Sequence, residues 1–306
     1  MVNSQFSSVQ IKLCYWSQRL PDSLPSFLVT RLSLATSYIE APPRLSTVNK
    51  NMKLSNQPFL LESATNDHAC LLLHGLGGGV YEMQLLGEFL HQHGFTVQGI
   101  NYPGHDRAAT KMPASTWQEW YKHIEDNHKE LAKKYENISI IGFSTGCPLA
   151  LHLAAKQSVQ NLVLLSPFLA IRHQWYYLLR LELYLFSVGH LIADVPRLKG
   201  LPISDKAMLQ LATEAAFFKT FNLASVRSAI KLINIVKSLL PQIEEPTLII
   251  QSVKDSVVDP EGARIIYQQL GSKKKKLYWL QDSDHTISLD IEREIVFEEI
   301  KKFLLS

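Results

Sequence analysis

The chain has 306 residues, of which 46% are apolar, and a formal net charge of +3. This length and composition are typical of a globular protein with a large core, built as one α/β domain or two smaller ones. The nearly balanced charge gives no sign of a polyanionic partner, so we expect no binding of nucleic acid. The three cysteines, Cys14, Cys70 and Cys147, lack the spacing of a metal site or a disulfide framework, which favours a reducing, cytoplasmic compartment.

Residues 1–51 differ in composition from the rest of the chain. Ser, Pro and Thr are frequent there, and no helical or strand period is sustained. The apolar stretch 27–35 is interrupted by Arg31 and is too short to span a bilayer. We expect an N-terminal extension that is disordered or absent from the mature protein. A transit peptide and a true start at Met52 are the alternatives.

Alternating strands and helices begin with the apolar run 69–73, followed by the loop HGLGGG at 74–79. An apolar run without alternation predicts a strand covered on both faces, as in a parallel sheet. The glycine spacing does not fit a dinucleotide site. Such a loop brings a backbone N–H close to a reacting oxygen, so we expect Leu76 to supply one half of an oxyanion hole, with His74 and Gly75 beside the substrate. A plain glycine turn is the alternative.

The next predicted elements are a helix at 83–93, a strand at 95–100 and a second helix that contains Trp117, Trp120 and Tyr121. The turn 101–106 follows the strand at its carboxyl end, where ligand crevices lie in α/β sheets. His105 in this turn is therefore a candidate substrate contact, and a role in the structure of the loop is the alternative.

The motif GFSTG at 142–146 lies between an apolar, β-branched run at 138–141 and a segment of good helix formers. A G-x-S-x-G sequence between a strand and a helix is typical of a nucleophile elbow, where the serine takes a strained backbone conformation. The glycines on either side let strand and helix approach each other. We expect Ser144 to be a nucleophile, with Thr145 supplying the second N–H of the oxyanion hole.

After another apolar strand at 161–165, the alternation breaks from 168 to 240, where the pattern is helical and no strand is evident. We expect a helical cap inserted over the active site. The stretch 175–186 is apolar and aromatic nearly all round, so Trp175 and Tyr176 are candidate contacts for an acyl chain. Transient contact of this helix with a lipid surface is an additional hypothesis, and core packing within the cap is the simplest alternative.

Two further candidates follow predicted strands near the end of the chain. Asp255 comes after the strand at 246–251, and His285 comes after the strand at 276–280. The order Ser144, Asp255, His285 is that of the triad in α/β hydrolases. Asp259 is a competing acid, but it directly precedes Pro260 and is better interpreted as a helix cap. The histidines do not show zinc-protease spacing, so no metal and no cofactor are expected.

These motifs resemble the α/β-hydrolase superfamily and, within it, the monoacylglycerol lipase and bacterial carboxylesterase branch. The resemblance spans about residues 53–306 and rests on five motifs: HGLGG at 74–78, YPGH at 102–105, GFSTG at 142–146, DSVVDP at 255–260 and SDHTI at 283–287. It implies a mostly parallel central sheet with helices on both faces and a helical cap. It also implies nucleophile Ser144, acid Asp255 and base His285, with oxyanion N–H groups on Leu76 and Thr145. Thr145 and Asp106 depart from the residues that are more usual in the branch.

The predicted activity is hydrolysis of carboxylic esters of small molecules, of monoacylglycerol or medium- to long-chain type, through an acyl-enzyme. Two alternatives remain at this point. The same residues serve equally in an acyltransferase or a thioesterase, and the fold also occurs in binding modules without catalysis.

Overall fold

A computed structural model of the chain describes residues 52–64, 67–170, 192–197 and 200–306. The predictions for residues 1–51, including the alternative start at Met52, depend on residues outside these ranges. So do the predictions for Trp175 and Tyr176 and for contact of the helix 175–186 with a lipid surface. None of the described helices is long and apolar enough to cross a membrane.

Nine strands are described, seven of them in one sheet of order β1-β3-β2-β4-β5-β8-β9. All neighbours in this sheet are parallel except β1, which pairs antiparallel with β3 at the edge. The strand bounds are β1 Phe59–Leu61, β2 His68–Leu73, β3 Thr96–Ile100, β4 Asn137–Phe143, β5 Asn161–Leu165, β6 Asp194–Pro196, β7 Thr220–Asn222, β8 Thr247–Ser252 and β9 Lys275–Leu280.

Helices cover both faces of the sheet. Their bounds are α1 Gln84–Gln92, α2 Trp117–Ala132, α3 Gly146–Ala154, α4 Lys206–Ala215, α5 Leu223–Leu239, α6 Glu261–Gln269 and α7 Arg293–Leu304, with 3-10 turns at Val80–Glu82 and Leu240–Gln242. Successive strand residues alternate between two cores: Leu71 and Leu73 pack with α2, α3 and α5, whereas Leu72 packs with α1 and α7. Because both faces are buried, the central strands are continuous apolar runs, as the sequence predicts.

The order of the strands reverses at β2, which has β3 on one side and β4 on the other. In an open parallel sheet, ligands bind beyond the carboxyl ends of the strands at such a reversal. The loop that starts at His74 follows β2, and Ser144 follows β4, so both lie at this position. Asp255 and His285 follow β8 and β9 at the same edge.

The segment between β5 and β8 contains α4 and α5, but the expectation that it holds no strand was wrong. β6 and β7 pair antiparallel, with Val195 opposite Phe221. Each strand has only three residues. A strand so short shows no readable alternation, and its pairing depends on contacts with the rest of the fold.

A buried carboxylate, that of Asp290, joins this insertion to the loop that carries His285. Asp290 is fully buried, and its Oδ1 accepts the N–H groups of Ser204, Asp205 and Ile291 at 2.8 to 2.9 Å. Its Oδ2 accepts the N–H of Asp284 at 2.6 Å. Hydrogen bonds to a charged acceptor are stronger than those between neutral groups, so this single side chain holds two separate segments together.

We predict that Asp290→Ala lowers the free energy of unfolding by about 2–4 kcal/mol, because the buried N–H donors lose their acceptor. Urea denaturation followed by circular dichroism measures this. Glu130→Ala is the control, since among the described residues Glu130 forms an ion pair only with an exposed lysine, Lys133, on the surface of α2. Equal unfolding midpoints for the two variants would contradict the assigned role of Asp290.

Candidate active site

Ser144 is at the tip of a sharp turn between β4 and α3. Its φ of 52° lies in the left-handed region, which costs a non-glycine residue about 1–3 kcal/mol. The Ser144 carbonyl accepts the N–H groups of Cys147 at 3.0 Å and Phe168 at 3.2 Å, which tie the strained turn to the helix and to the chain after β5. The turn is thus held in place by its surroundings.

The glycines of the motif are required by close packing of the backbone. A Cβ on Gly142 would lie 2.5 Å from the carbonyl oxygen of Gly146, and a Cβ on Gly146 would overlap the carbonyl oxygen of Leu73. In both cases the obstacle is main chain, which cannot move aside as a flexible side chain would. The G-x-S-x-G pattern therefore follows from how closely α3 approaches β2 and β4.

Three side chains from separate loops meet at this turn. The hydroxyl of Ser144 donates to His285 Nε2 at 2.9 Å, and His285 Nδ1–H donates to Asp255 Oδ2 at 2.8 Å. Asp255 is fully buried, and its Oδ1 accepts the N–H groups of Val257 and Val258, both at 2.9 Å. These contacts fix the carboxylate, which in turn fixes the tautomer and orientation of the imidazole.

The charges of the pair change the pKa of each member. Burial acts to lower the pKa of His285, but the charge and hydrogen bond of Asp255 act in the opposite direction, and the net pKa is raised above 6.5. Burial acts to raise the pKa of Asp255, but His285 and the two backbone donors outweigh it, and the net pKa is lowered. Asp255 is therefore charged at neutral pH, and it favours a positive charge on His285.

The other acids near His285 have different partners. Asp284 Oδ1 accepts the N–H groups of Ser256 and His285 and so stabilises the loop. Asp282 forms an ion pair with Lys254 at 2.8 Å on the surface. Asp259 Oδ1 accepts the N–H of Glu261, the first residue of α6, at 3.0 Å, and Pro260 stands at the cap position between them. Of these three acids and Asp255, it is Asp255 whose carboxylate contacts the imidazole ring.

The loop after β2 is arranged around the peptide that joins Gly75 to Leu76. The Gly75 carbonyl accepts His74 Nδ1–H at 2.8 Å and the Gly78 N–H at 3.2 Å. Hydrogen bonds to a peptide oxygen polarise the same peptide's N–H, here that of Leu76. In the described part of the chain, the N–H groups of Leu76 and Thr145 have no protein acceptor. Both donors are thus available for a developing negative charge.

His74 and His105 were candidate substrate contacts, with a role in the structure of the loop as the alternative for His105, and both side chains are fully buried. His105 Nε2 accepts the Gly77 N–H at 3.0 Å. The His74 ring stacks on Tyr102 with centroids 4.0 Å apart, and the Tyr102 hydroxyl donates to the His74 carbonyl at 3.0 Å. The two histidines hold the loop in place and are not exposed to a ligand. Gly75 is buried too, and its carbonyl is engaged by protein donors.

Two residues near the triad have no motif that would reveal them in the sequence. Ser166, at the end of β5, has a φ of 46°, and its hydroxyl donates to the His285 carbonyl at 2.8 Å. Glu82 is a buried acid whose Oε2 accepts the Gly75 N–H at 2.9 Å. The only local signal for Ser166 is its position between a strand and Pro167.

No group of His, Cys, Asp or Glu side chains that could hold a metal ion occurs within the described ranges.

Comparison with known proteins shows which family the chain is similar to. The family model described as serine aminopeptidase, S33, matches residues 64–292. A carboxylesterase of Bacillus subtilis is 26% identical over 249 residues, which are 81% of this chain and 96% of the relative. A thermostable monoacylglycerol lipase of Bacillus sp. strain H-257 is 28% identical over 251 residues, 81% of this chain and 93% of the relative.

Solved structures show the same fold. One of the metagenome-derived lipolytic enzymes LipS and LipT matches with a TM-score of 0.72 at 24% identity, over 82% of this chain and 98% of the other. The monoacylglycerol lipase of Paleococcus ferrophilus matches with a TM-score of 0.69 at 19% identity, over 81% of this chain and 97% of the other.

We predict that Gly146→Ala lowers the free energy of unfolding by about 3 kcal/mol or more, because the new methyl group collides with backbone at Leu73. Thermal unfolding and soluble yield measure the effect. Gly200→Ala is the matched control: its Cβ meets no described residue within 4 Å, although its φ of 69° carries a cost of about 1–2 kcal/mol. If Gly146→Ala were no less stable than Gly200→Ala, the close approach would not be what requires the glycine.

Proposed function

The chain belongs to the α/β-hydrolase family described as serine aminopeptidase, S33, and on this premise we propose that it hydrolyses carboxylic esters with Ser144, His285 and Asp255 as its triad. The observation that carries the proposal is the continuous hydrogen-bonded path from the Ser144 hydroxyl through His285 to the buried Asp255. The expected α/β-hydrolase fold and the resemblance to carboxylesterases and monoacylglycerol lipases are both confirmed.

In the proposed acylation step, His285 Nε2 takes the hydroxyl proton of Ser144 while Oγ forms a bond to the ester carbonyl carbon. A serine hydroxyl is a weak nucleophile at neutral pH, so this base is required. The imidazolium that forms lies against the Asp255 carboxylate, which stabilises its charge. His285 then gives the proton to the departing alcohol as the carbon–oxygen bond breaks.

The carbonyl oxygen becomes negative in the tetrahedral intermediate, and we propose that the N–H groups of Leu76 and Thr145 stabilise it. Support comes from their positions directly after β2 and β4 and from the absence of protein acceptors for either donor in the described residues. One donor of this kind contributes about 10²–10³ in rate. Water, activated by His285, then releases the acid from the acyl-enzyme.

As substrates we propose monoacylglycerols or other esters with medium to long acyl chains. The names of the two bacterial relatives, a carboxylesterase and a monoacylglycerol lipase, support this class. The apolar and aromatic segment 175–186 supports it as well, because such a segment inserted before β8 suits an acyl chain better than a polar group.

We predict that the purified protein reacts covalently with a fluorophosphonate probe and that Ser144→Ala abolishes this labelling. His285→Ala is expected to reduce labelling and ester turnover by about 10⁴-fold or more, because the hydroxyl loses its base. In-gel fluorescence measures the reaction. Ser238→Ala is the matched control, since Ser238 is exposed on α5, where its hydroxyl donates to the Ile235 carbonyl. A folded wild-type protein that is not labelled would favour a binding module.

A substrate panel tests the proposed class. p-Nitrophenyl esters of rising chain length are expected to give the highest kcat/KM at medium or long chains, and monoacylglycerol is expected to be hydrolysed. Thioesters, an added alcohol acceptor and aminoacyl p-nitroanilides form the other arms of the panel. Preference for a thioester, transfer to the alcohol or amide cleavage would replace the proposed reaction with a thioesterase, an acyltransferase or an aminopeptidase.

We predict that kcat/KM declines as the pH falls through the pKa of His285, because the imidazolium cannot accept the Ser144 proton. Since that pKa is raised, the midpoint of the acid limb is expected above 6.5. Asp255→Asn removes the charge that raises it, so the midpoint should move to lower pH, and kcat should decrease about 10⁴-fold. A wild-type midpoint below 6.5 would contradict the proposed electrostatics of the pair.

A further inference from the structure

Besides Asp255, the buried carboxylate of Glu82 contacts the oxyanion loop and acts through its charge on His285. It ends the 3-10 turn Val80–Glu82 and is 6% exposed. Its Oε2 accepts the Gly75 N–H at 2.9 Å, and a Cβ on Gly78 would overlap the carboxylate. The backbone carbonyl of Glu82 accepts the hydroxyl of Ser288, three residues after His285, at 2.6 Å. Glu82 therefore contacts the loops of both the oxyanion hole and the base.

The glycines at 75 and 78 fit this arrangement. The carboxylate occupies the space in which side chains on the loop would otherwise lie, and it takes up the N–H of Gly75. The Gly75 carbonyl accepts hydrogen bonds from His74 and Gly78. Both the N–H and the carbonyl of Gly75 are therefore hydrogen-bonded. These bonds fix the orientation of the peptide between Gly75 and Leu76, and with it the direction of the Leu76 N–H.

Charged and titratable groups face Glu82 from several elements. Burial raises the pKa of Glu82 to about 7, although the Gly75 N–H, Arg197 and His285 act to lower it. Arg197 comes from the insertion, where it follows β6; it donates from Nη2 to the Gly77 carbonyl at 2.8 Å and lies over the Phe221 ring at 4.4 Å. The phenols of Tyr81 and Tyr102 also face Glu82; burial raises the pKa of both, and the charge of Glu82 raises it further.

We propose that Glu82 is a positioning residue of the ester-cleaving site. Glu82 fixes the conformation of the oxyanion loop through Gly75, and its negative charge favours the imidazolium form of His285. The inference rests on the proposed function. During acylation the proton of Ser144 moves to His285 Nε2, and the positive charge that appears there is favoured by two carboxylates, Asp255 in contact and Glu82 through space. Glu82 keeps its own protonation state in this step and forms no covalent bond.

The two parts of the role are separable by substitution. Glu82→Gln keeps an oxygen that accepts from Gly75 but removes the charge. Glu82→Asp keeps the charge but shortens the side chain, so the contact with Gly75 is lost. Glu88→Gln is the matched control, because Glu88 is exposed on α1 and contacts only Gln84 among the described residues.

The experiment measures kcat and KM for a p-nitrophenyl ester from pH 5 to 9 in the wild type and the three variants. For Glu82→Gln we expect the acid limb to move to lower pH by about half a unit, because His285 loses a negative charge that Glu82, with its pKa of about 7, carries over part of that limb. For Glu82→Asp we expect the limb to stay and kcat to fall about tenfold or more, with KM little changed, since the loop donor is misplaced. Glu88→Gln should match the wild type in both respects.

Two outcomes overturn the proposal: an acid limb in Glu82→Gln that coincides with that of the wild type, or a wild-type kcat in Glu82→Asp. Loss of thermal stability without either kinetic change would assign Glu82 to the fold alone and would also overturn it. If Glu82→Gln does not fold, the Glu82→Asp result decides. A wild-type protein that neither cleaves esters nor reacts with the fluorophosphonate probe would instead refute the proposed function.

Discussion

The strained turn at Ser144 is the constraint around which the rest of the structure is arranged. A serine with a φ of 52° persists only because neighbouring elements hold it there. They do so by packing α3 against β2 and β4 so closely that Gly142 and Gly146 leave no room for a side chain. The turn presents the Ser144 hydroxyl at the carboxyl end of β4, where the loops that follow the other strands also lie.

Buried carboxylates organise those loops. Asp255, Glu82 and Asp290 each accept backbone N–H groups from the chain around the site, and Asp255 and Glu82 also face His285. A buried negative charge without partners would be costly, so each needs the donors that it gathers. These hydrogen bonds also fix the conformation of the loops. Much of the site's geometry is therefore set by acids that do not themselves react.

The parallel sheet was predictable because strands buried on both faces are continuous apolar runs. The elbow was predictable because close backbone packing imposes the spacing of its glycines. The three-residue strands β6 and β7 were not predictable, since the pairing of such short strands depends on tertiary contacts. His74 and His105 were candidate substrate contacts because they lie in loops at the carboxyl ends of strands. A sequence does not show which way a side chain in such a loop points, and here both are buried. Glu82 and Ser166 are single residues without a spacing pattern, so only the fold brings them to His285.

The insertion between β5 and β8 is tied to the reacting groups from both sides. Arg197 binds the carbonyl of Gly77 in the oxyanion loop, and Ser204 and Asp205 bind Asp290, which also holds the segment of His285. Under the proposed function, a substitution in this insertion that changes the room for an acyl chain acts on the segment that also carries these anchors. The proposal therefore links selectivity to turnover: variants chosen for a new chain length are expected to change in rate at the same time.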